Sequence, residues 1–213
     1  MSAQLPSDVV GDIAGLEAIY GTFPEGGRTK ETPVITPLQR RWIEASPFVL
    51  LATAGEEGLD CSPRGDPAPA VHIVDERTLH LPDRRGNNRL DTLRNIVTDG
   101  RVGLLFLVPG LGTTVRVNGT AVLRTDPELL ERYAMARLDD RKLPRTVIEI
   151  AVQTVYTQCP KALIRSDLWN PARHRTADEL PTVGAIMTEI TQGGFDGAAY
   201  DANYPQRLAD TIY

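Results

Sequence analysis

Pro47 to Asp83 reads PFVLLATAGEEGLDCSPRGDPAPAVHIVDERTLHLPD. Four short runs in it, PFVLLATA, LDCSPRGD, PAVHIV and TLHLPD, are rich in β-formers and are separated by Gly, Pro, Asp and Glu, which is the chemistry of strands and turns. Four strands in succession predict an antiparallel meander. Downstream, Asn87 to Val97 (NNRLDTLRNIV) spaces Leu90, Leu93, Ile96 and Val97 as a helix does and stops at Gly100. Two further strands follow, Arg101 to Val108 and Thr113 to Arg124, the second interrupted by Gly119 as a bulge would be. Asp126 and Pro127 open a helix expected to run to about Leu138, and Thr146 to Thr157 (TVIEIAVQTVYT) alternates as a half-buried strand. Upstream, Thr36-Pro37-Leu38-Gln39 is a capping-box start for a helix to about Ala45, and Asp12 to Tyr20 is a shorter amphipathic helix ending at Gly21. Strands dominate and helices flank them, so the expected fold is mainly β, a barrel of antiparallel strands closed to hide its edges.

A length of 213 residues suits one domain with extensions. No repeat, low-complexity tract or linker divides it, so residues 1-35 are expected to form an N-terminal helix and arm, 36-169 the barrel and 170-213 a helical tail. No apolar run approaches the ~18–20 residues that span a bilayer, and MSAQLPSDVVGD has neither the basic start nor the apolar segment of an export signal. The expected location is cytoplasmic. A formal charge of -5 argues against nucleic acid as the partner. Of the 23 basic residues only Lys30, Lys142 and Lys161 are lysine, so the remainder are arginines, whose planar forks match phosphate. Cys61 and Cys159 form no CxxC pair, and His72, His80 and His174 have no metal-ligand spacing; His72 and His80 read as strand residues.

Four stretches carry the candidate chemistry. In LPDRRGNNRL, Arg84, Arg85, Asn88 and Arg89 surround what the pattern predicts to be a helix start, where cations oppose the helix dipole unless an anion joins them. A bound phosphate would resolve that conflict; a solvated loop paired to Asp83 and Asp91 is the alternative. In CSPRGDPAP, Ser62, Arg64, Gly65 and Asp66 lie in a proline-broken strand that is either a sheet edge, with Arg64 and Asp66 paired in a turn, or a place where a flat ligand meets the backbone. In GTTVRVNG, strand alternation puts Thr114 and Arg116 on one face and Val115 and Val117 on the other. In CPKALIRSDLW, Lys161, Arg165 and Trp169 fall four apart and would share a helix face, either exposed or directed at a ligand or a second subunit.

Taken together and in this order, SPRGDPAP, LPDRRGNNRLDTLRNI, VRVNGTA and CPKALIRSDLW resemble the pyridoxamine 5'-phosphate oxidase-like FMN-binding family, in particular a bacterial branch of it, over roughly Thr36 to Trp169. The resemblance implies a split β-barrel homodimer with FMN in clefts between the subunits, acting on a small-molecule redox substrate. It places Arg84, Arg85, Asn88 and Arg89 at the FMN phosphate and Ser62, Arg64, Gly65 and Asp66 along the isoalloxazine ring. It also assigns Thr114 and Arg116 to the flavin, with Arg165 and Trp169 reaching it from the partner subunit, and Lys161 is a further cofactor-binding candidate. Here the phosphate loop reads Arg-Arg-Gly-Asn-Asn-Arg where the oxidases have Ser-Arg-Lys-Gly. The oxidases' Arg-Leu-His-Asp-Arg run is replaced by Ile164-Arg165-Ser166-Asp167-Leu168. The first change leaves the choice of phosphate ligand open, and the second argues against pyridoxamine phosphate as substrate. The expected function is an FMN-dependent oxidoreductase in which Arg64, Arg116 or Lys161 supplies positive charge near the reduced ring. The alternatives are a non-catalytic flavin or haem store, and a reductase using the deazaflavin F420.

Overall fold

The computed structural model describes residues 8–22, 27, 29–137 and 140–212. Contacts divide the chain into two compact units, Met1–Glu31 and Thr32–Tyr213. The first contains helix α1 (Ile13–Tyr20), whose N-cap Asp12 accepts a hydrogen bond from the Gly15 amide.

In the second unit, helix α2 (Pro37–Glu44) starts as its sequence requires: the Thr36 hydroxyl takes the Gln39 amide and the Gln39 side chain takes the Thr36 amide. Strands β1 (Phe48–Gly55), β2 (Gly58–Gly65), β3 (His72–Ile73) and β4 (Thr78–Asp83) follow, then helix α3 (Asp91–Thr98). After them come β5 (Arg101–Leu107), β6 (Thr114–Arg124), helix α4 (Pro127–Arg132), the small hairpin β7 (Met135–Arg137) and β8 (Asp140–Lys142), and β9 (Thr146–Gln158). Helix α5 (Lys161–Ser166) opens a tail that ends in α6 (Val183–Ile190) and α7 (Gly197–Thr211). Among the described residues no helix is long and apolar enough to cross a membrane.

Seven strands form one antiparallel sheet in the order β2-β1-β5-β6-β9-β4-β3. The expected meander is therefore corrected: β1-β2 and β3-β4 are two separate hairpins at opposite ends of the sheet, because Gly65, Asp66 and Pro67 break the chain direction between them. The split β-barrel expectation stands, but the expected closure of its edges is corrected: the ladder ends at β2 and at β3, which do not pair. Strands β1, β5, β6 and β9 each turn a row of apolar side chains inward, including Val49 and Leu51, Leu104 and Phe106, Val115 and Val117, and Ile148 and Ile150. Gln153 is the extra residue of a bulge, since Val152 pairs with Gly119 and Thr154 with Asn118. The bulge switches the inward row of β9 from even-numbered to odd-numbered positions, so that Val155 is buried as well. Position 119 must be glycine there, because a Cβ would run into the Ala151 carbonyl. The buried core spans Ile35 to Val155, so the tail helices lie outside it. They pack on each other where Gly184 and Gly197 bring their backbones into contact.

Two helix expectations shorten. α3 begins at Asp91 rather than near Asn87, because Asn88 takes a left-handed φ of 59° and the Asn87 side chain accepts the Arg89 amide, both turn features. α4 ends at Arg132 rather than about Leu138, because Tyr133 is drawn into the interior and Met135 already belongs to β7.

Candidate functional site

The ends of β2 and β4 lie side by side but share no ladder, and side chains bridge them. Arg64 donates from Nη1 to Asp83 Oδ1 at 2.7 Å, and Arg84 donates from Nε to Asp66 Oδ2 at 3.0 Å. These are crossed pairs between the strands, which corrects the expected turn pair of Arg64 with Asp66. All four side chains are largely buried, so each pair is shielded from solvent.

Beside this seam opens a cleft of about 870 Å³. One wall is β2, with Asp60, Ser62, Pro63 and Arg64; the second is the segment from Asp83 to Leu90; the third is the start of α3; the fourth is Arg145 and Thr146 at the start of β9. The polar groups of the β2 wall are tied together. Ser62 Oγ lies 3.0 Å from Thr92 Oγ1 and accepts from Arg64 Nε at 3.2 Å, and the Thr92 hydroxyl donates to Asp60.

Of the residues expected at a flavin, Ser62, Arg64, Arg84, Arg85, Asn88 and Arg89 line this cleft. Gly65 does not, and Asp66 stands behind Arg84 as its counter-ion. Because α3 starts after Arg89, the three arginines sit in the loop before the helix and not in its first turn. Their charge is largely answered by protein. Arg89 pairs with Asp91, Arg64 with Asp83 and Arg84 with Asp66. Arg85 and Arg145 have no carboxylate partner among the described residues. Thr146 Oγ1 is buried and makes no hydrogen bond, which a buried hydroxyl rarely tolerates. Two unpaired guanidinium groups lining one cleft, with an orphaned hydroxyl covered in the same lining, are suited to an anion with several acceptor oxygens.

Arg145 and Thr146 escaped the sequence reading. Their signal was the Arg directly before the last strand, whose meaning depends on the β4-β9 register that puts Thr146 opposite Asp83.

Thr114, Arg116, Lys161, Arg165 and Trp169 do not line the cleft. Thr114 is buried, whereas Arg116 is exposed and donates to the Tyr156 hydroxyl at 3.1 Å. Thus the face expected to be shared by these two is half interior. Lys161 and Arg165 are exposed on α5, but the helix stops at Ser166 and Asp167 turns left-handed with a φ of 53°. Trp169 therefore leaves the helix face expected for it, and its indole donates to the Leu111 carbonyl at 2.9 Å.

A second polar cluster surrounds Tyr133. His72 and His80 face each other across β3 and β4, and both contact the Tyr133 ring, at centroid distances of 4.6 and 5.7 Å. Burial, reinforced by the neighbouring Arg84 charge, holds the His72 imidazole below its ordinary pKa. Burial pushes the Tyr133 phenol upward.

The family profile for pyridoxamine 5'-phosphate oxidase matches residues 35–159. No curated protein matches the chain. Among solved structures, HupZ of Group A Streptococcus aligns at 19% identity and a TM-score of 0.48, covering 59% of this chain and 94% of its own. A candidate pyridoxamine 5'-phosphate oxidase from Lactobacillus delbrueckii aligns at 21% identity and a TM-score of 0.46, covering 59% of this chain and 95% of its own. A FAD-binding protein of Mesorhizobium loti aligns at 14% identity and a TM-score of 0.39, covering 60% of this chain and 96% of its own. With its profile spanning the strands from β1 to β9 and both walls of the seam, the chain belongs to the pyridoxamine 5'-phosphate oxidase family.

Proposed function

We propose that the cleft holds the phosphate end of FMN and that the protein is an FMN-dependent oxidoreductase whose small-molecule substrate is not pyridoxamine phosphate. The observation that carries this reading is the combination of Arg85, Arg145 and the unpartnered Thr146 hydroxyl on one cleft. The two guanidinium groups answer a phosphate's charge, and the hydroxyl, covered as it stands, gains its missing partner when Thr146 turns to donate to a phosphate oxygen. Bound FMN supplies the redox chemistry at its ring, and the chain supplies orientation and electrostatics. Arg64 and Arg84, already paired with Asp83 and Asp66, form the rigid side of the cleft, and Arg85 and Arg145 add its unpaired charge. The replaced Arg-Leu-His-Asp-Arg run supports a different substrate from that of the oxidases.

The protein acts as a homodimer on this reading, because Arg116, Lys161, Arg165 and Trp169 lie away from this cleft, a placement that suits service to a second copy's flavin. Cys61 and Cys159 are exposed thiols, which suits a reducing compartment, the cytoplasm.

The test is titration with FMN and with riboflavin, which lacks the phosphate. Wild type is expected to prefer FMN, and Arg85→Gln and Arg145→Gln are each expected to weaken FMN by about tenfold to hundredfold, given ~1.5–3 kcal/mol for a charged hydrogen bond, while riboflavin affinity stays put. Equal affinity for the two flavins in wild type would refute the phosphate assignment.

A further inference from the structure

Arg84 reaches into the cleft from a guanidinium fixed at two points. Its Nε is held by Asp66, and its Nη1 donates at 2.7 Å to the Tyr133 carbonyl. That carbonyl sits at the C-cap of α4, where helix carbonyls lack partners and attract cations. The rest of Tyr133 is equally fixed. Its hydroxyl lies 2.9 Å from His80 Nδ1, and His80 Nε2 lies 3.0 Å from Glu149 Oε2. Glu149 is in turn held by Arg124 Nη1 at 2.9 and 3.0 Å. Since a carboxylate only accepts, His80 Nε2 donates to Glu149, which leaves Nδ1 to the Tyr133 hydroxyl. His72 closes the other side of the ring.

We infer that Tyr133 is a positioning residue of the anion site: clamped through its hydroxyl by His80 and Glu149, it aims Arg84 through its own carbonyl. The inference rests on the proposed phosphate reading of the cleft and adds to it a residue outside the cleft that sets phosphate affinity. Arg84 bears one ion pair already, so its direction and not its mere presence decides what it contributes to an anion. A carbonyl at 2.7 Å on a ring-locked residue sets that direction. Without the hydroxyl clamp, Tyr133 and its carbonyl gain freedom, and Arg84 follows.

The experiment is a double-mutant cycle read by flavin titration. Tyr133→Phe removes only the clamp, and Arg84→Gln removes the group it aims. The preference for FMN over riboflavin is expected to fall about threefold to tenfold in Tyr133→Phe with riboflavin affinity unchanged, and to fall no further when Tyr133→Phe is added to Arg84→Gln. His80→Gln, which keeps an amide toward Glu149 but cannot also reach the hydroxyl, tests the same link should Tyr133→Phe fail to fold. Additive losses, parallel losses for both flavins, or an unchanged preference would overturn the positioning role. A wild type with no preference for FMN would instead refute the phosphate reading, and the inference with it.

Discussion

Asp66→Asn should move stability and ligand affinity in opposite directions. Asp66 and Arg84 have side chains only 11% and 18% exposed, 3.0 Å apart. An exposed ion pair contributes about 0–1 kcal/mol, and removing one partner of a fully buried pair costs about 3–5 kcal/mol. This pair lies nearer the buried limit. Arg84 nevertheless keeps the Tyr133 carbonyl, and the amide retains an oxygen toward Nε, so the expected loss is about 1.5–2.5 kcal/mol. At roughly 2–4 °C per kcal/mol for a chain of this size, Tm should drop by about 3–10 °C. The same change removes a negative charge behind the cleft. For a phosphate dianion roughly 8 Å away at an effective dielectric of about 40–80, with salt screening, the gain is about 0.5–1 kcal/mol, or about twofold to fivefold tighter FMN binding. Urea unfolding at fixed protein concentration and FMN titration give the two numbers. A stability loss under ~0.5 kcal/mol, or FMN affinity falling in step with stability, would refute the account of the seam as a buried charge pair behind an anion site.

Gly119→Ala should cost about 1–3 kcal/mol by driving a methyl into the Ala151 carbonyl at the bulge, and urea unfolding checks it. Thr36→Ala removes half of a capping box and should cost about 1 kcal/mol in the same assay. Because the folded state holds His72 below its ordinary value of 6.5, the unfolded chain binds the extra proton first as pH falls, so stability should be full above pH 6.5 and decline below it. His72→Gln should flatten that part of the stability-pH curve, and an identical slope in both proteins would show that another group sets it.

Local signals carried much of the fold. The capping box at Thr36 was legible because both of its hydrogen bonds are made within four residues, and the bulge because a glycine interrupts an alternating strand. The meander failed because pairing is decided by partners far along the chain: β4 takes β9 as its neighbour, which no local pattern announces. The length of α4 failed for a similar reason, since Tyr133 continues a helical pattern but is claimed by His80 from another strand. At the site, the arginine-rich loop was visible as a cluster, while its electrostatics were not. Asp66 and Asp83 turn two of the candidate cations into a scaffold, and Arg145 enters only through the register of β9.

At the open edge, the ladder holds β2 through β1 alone, and across the seam its hold is the pair Arg64-Asp83 together with Asp66 just beyond its end. A backbone ladder is indifferent to dissolved ions; a seam of guanidinium and carboxylate is not. Ionic strength should therefore act as a dial on how often this wall of the cleft breathes. Amide protons of β2 should exchange faster with rising salt, while those of β6 and β9, laddered on both sides, keep their pace. The strand that walls the cleft is the strand at the barrel's open edge.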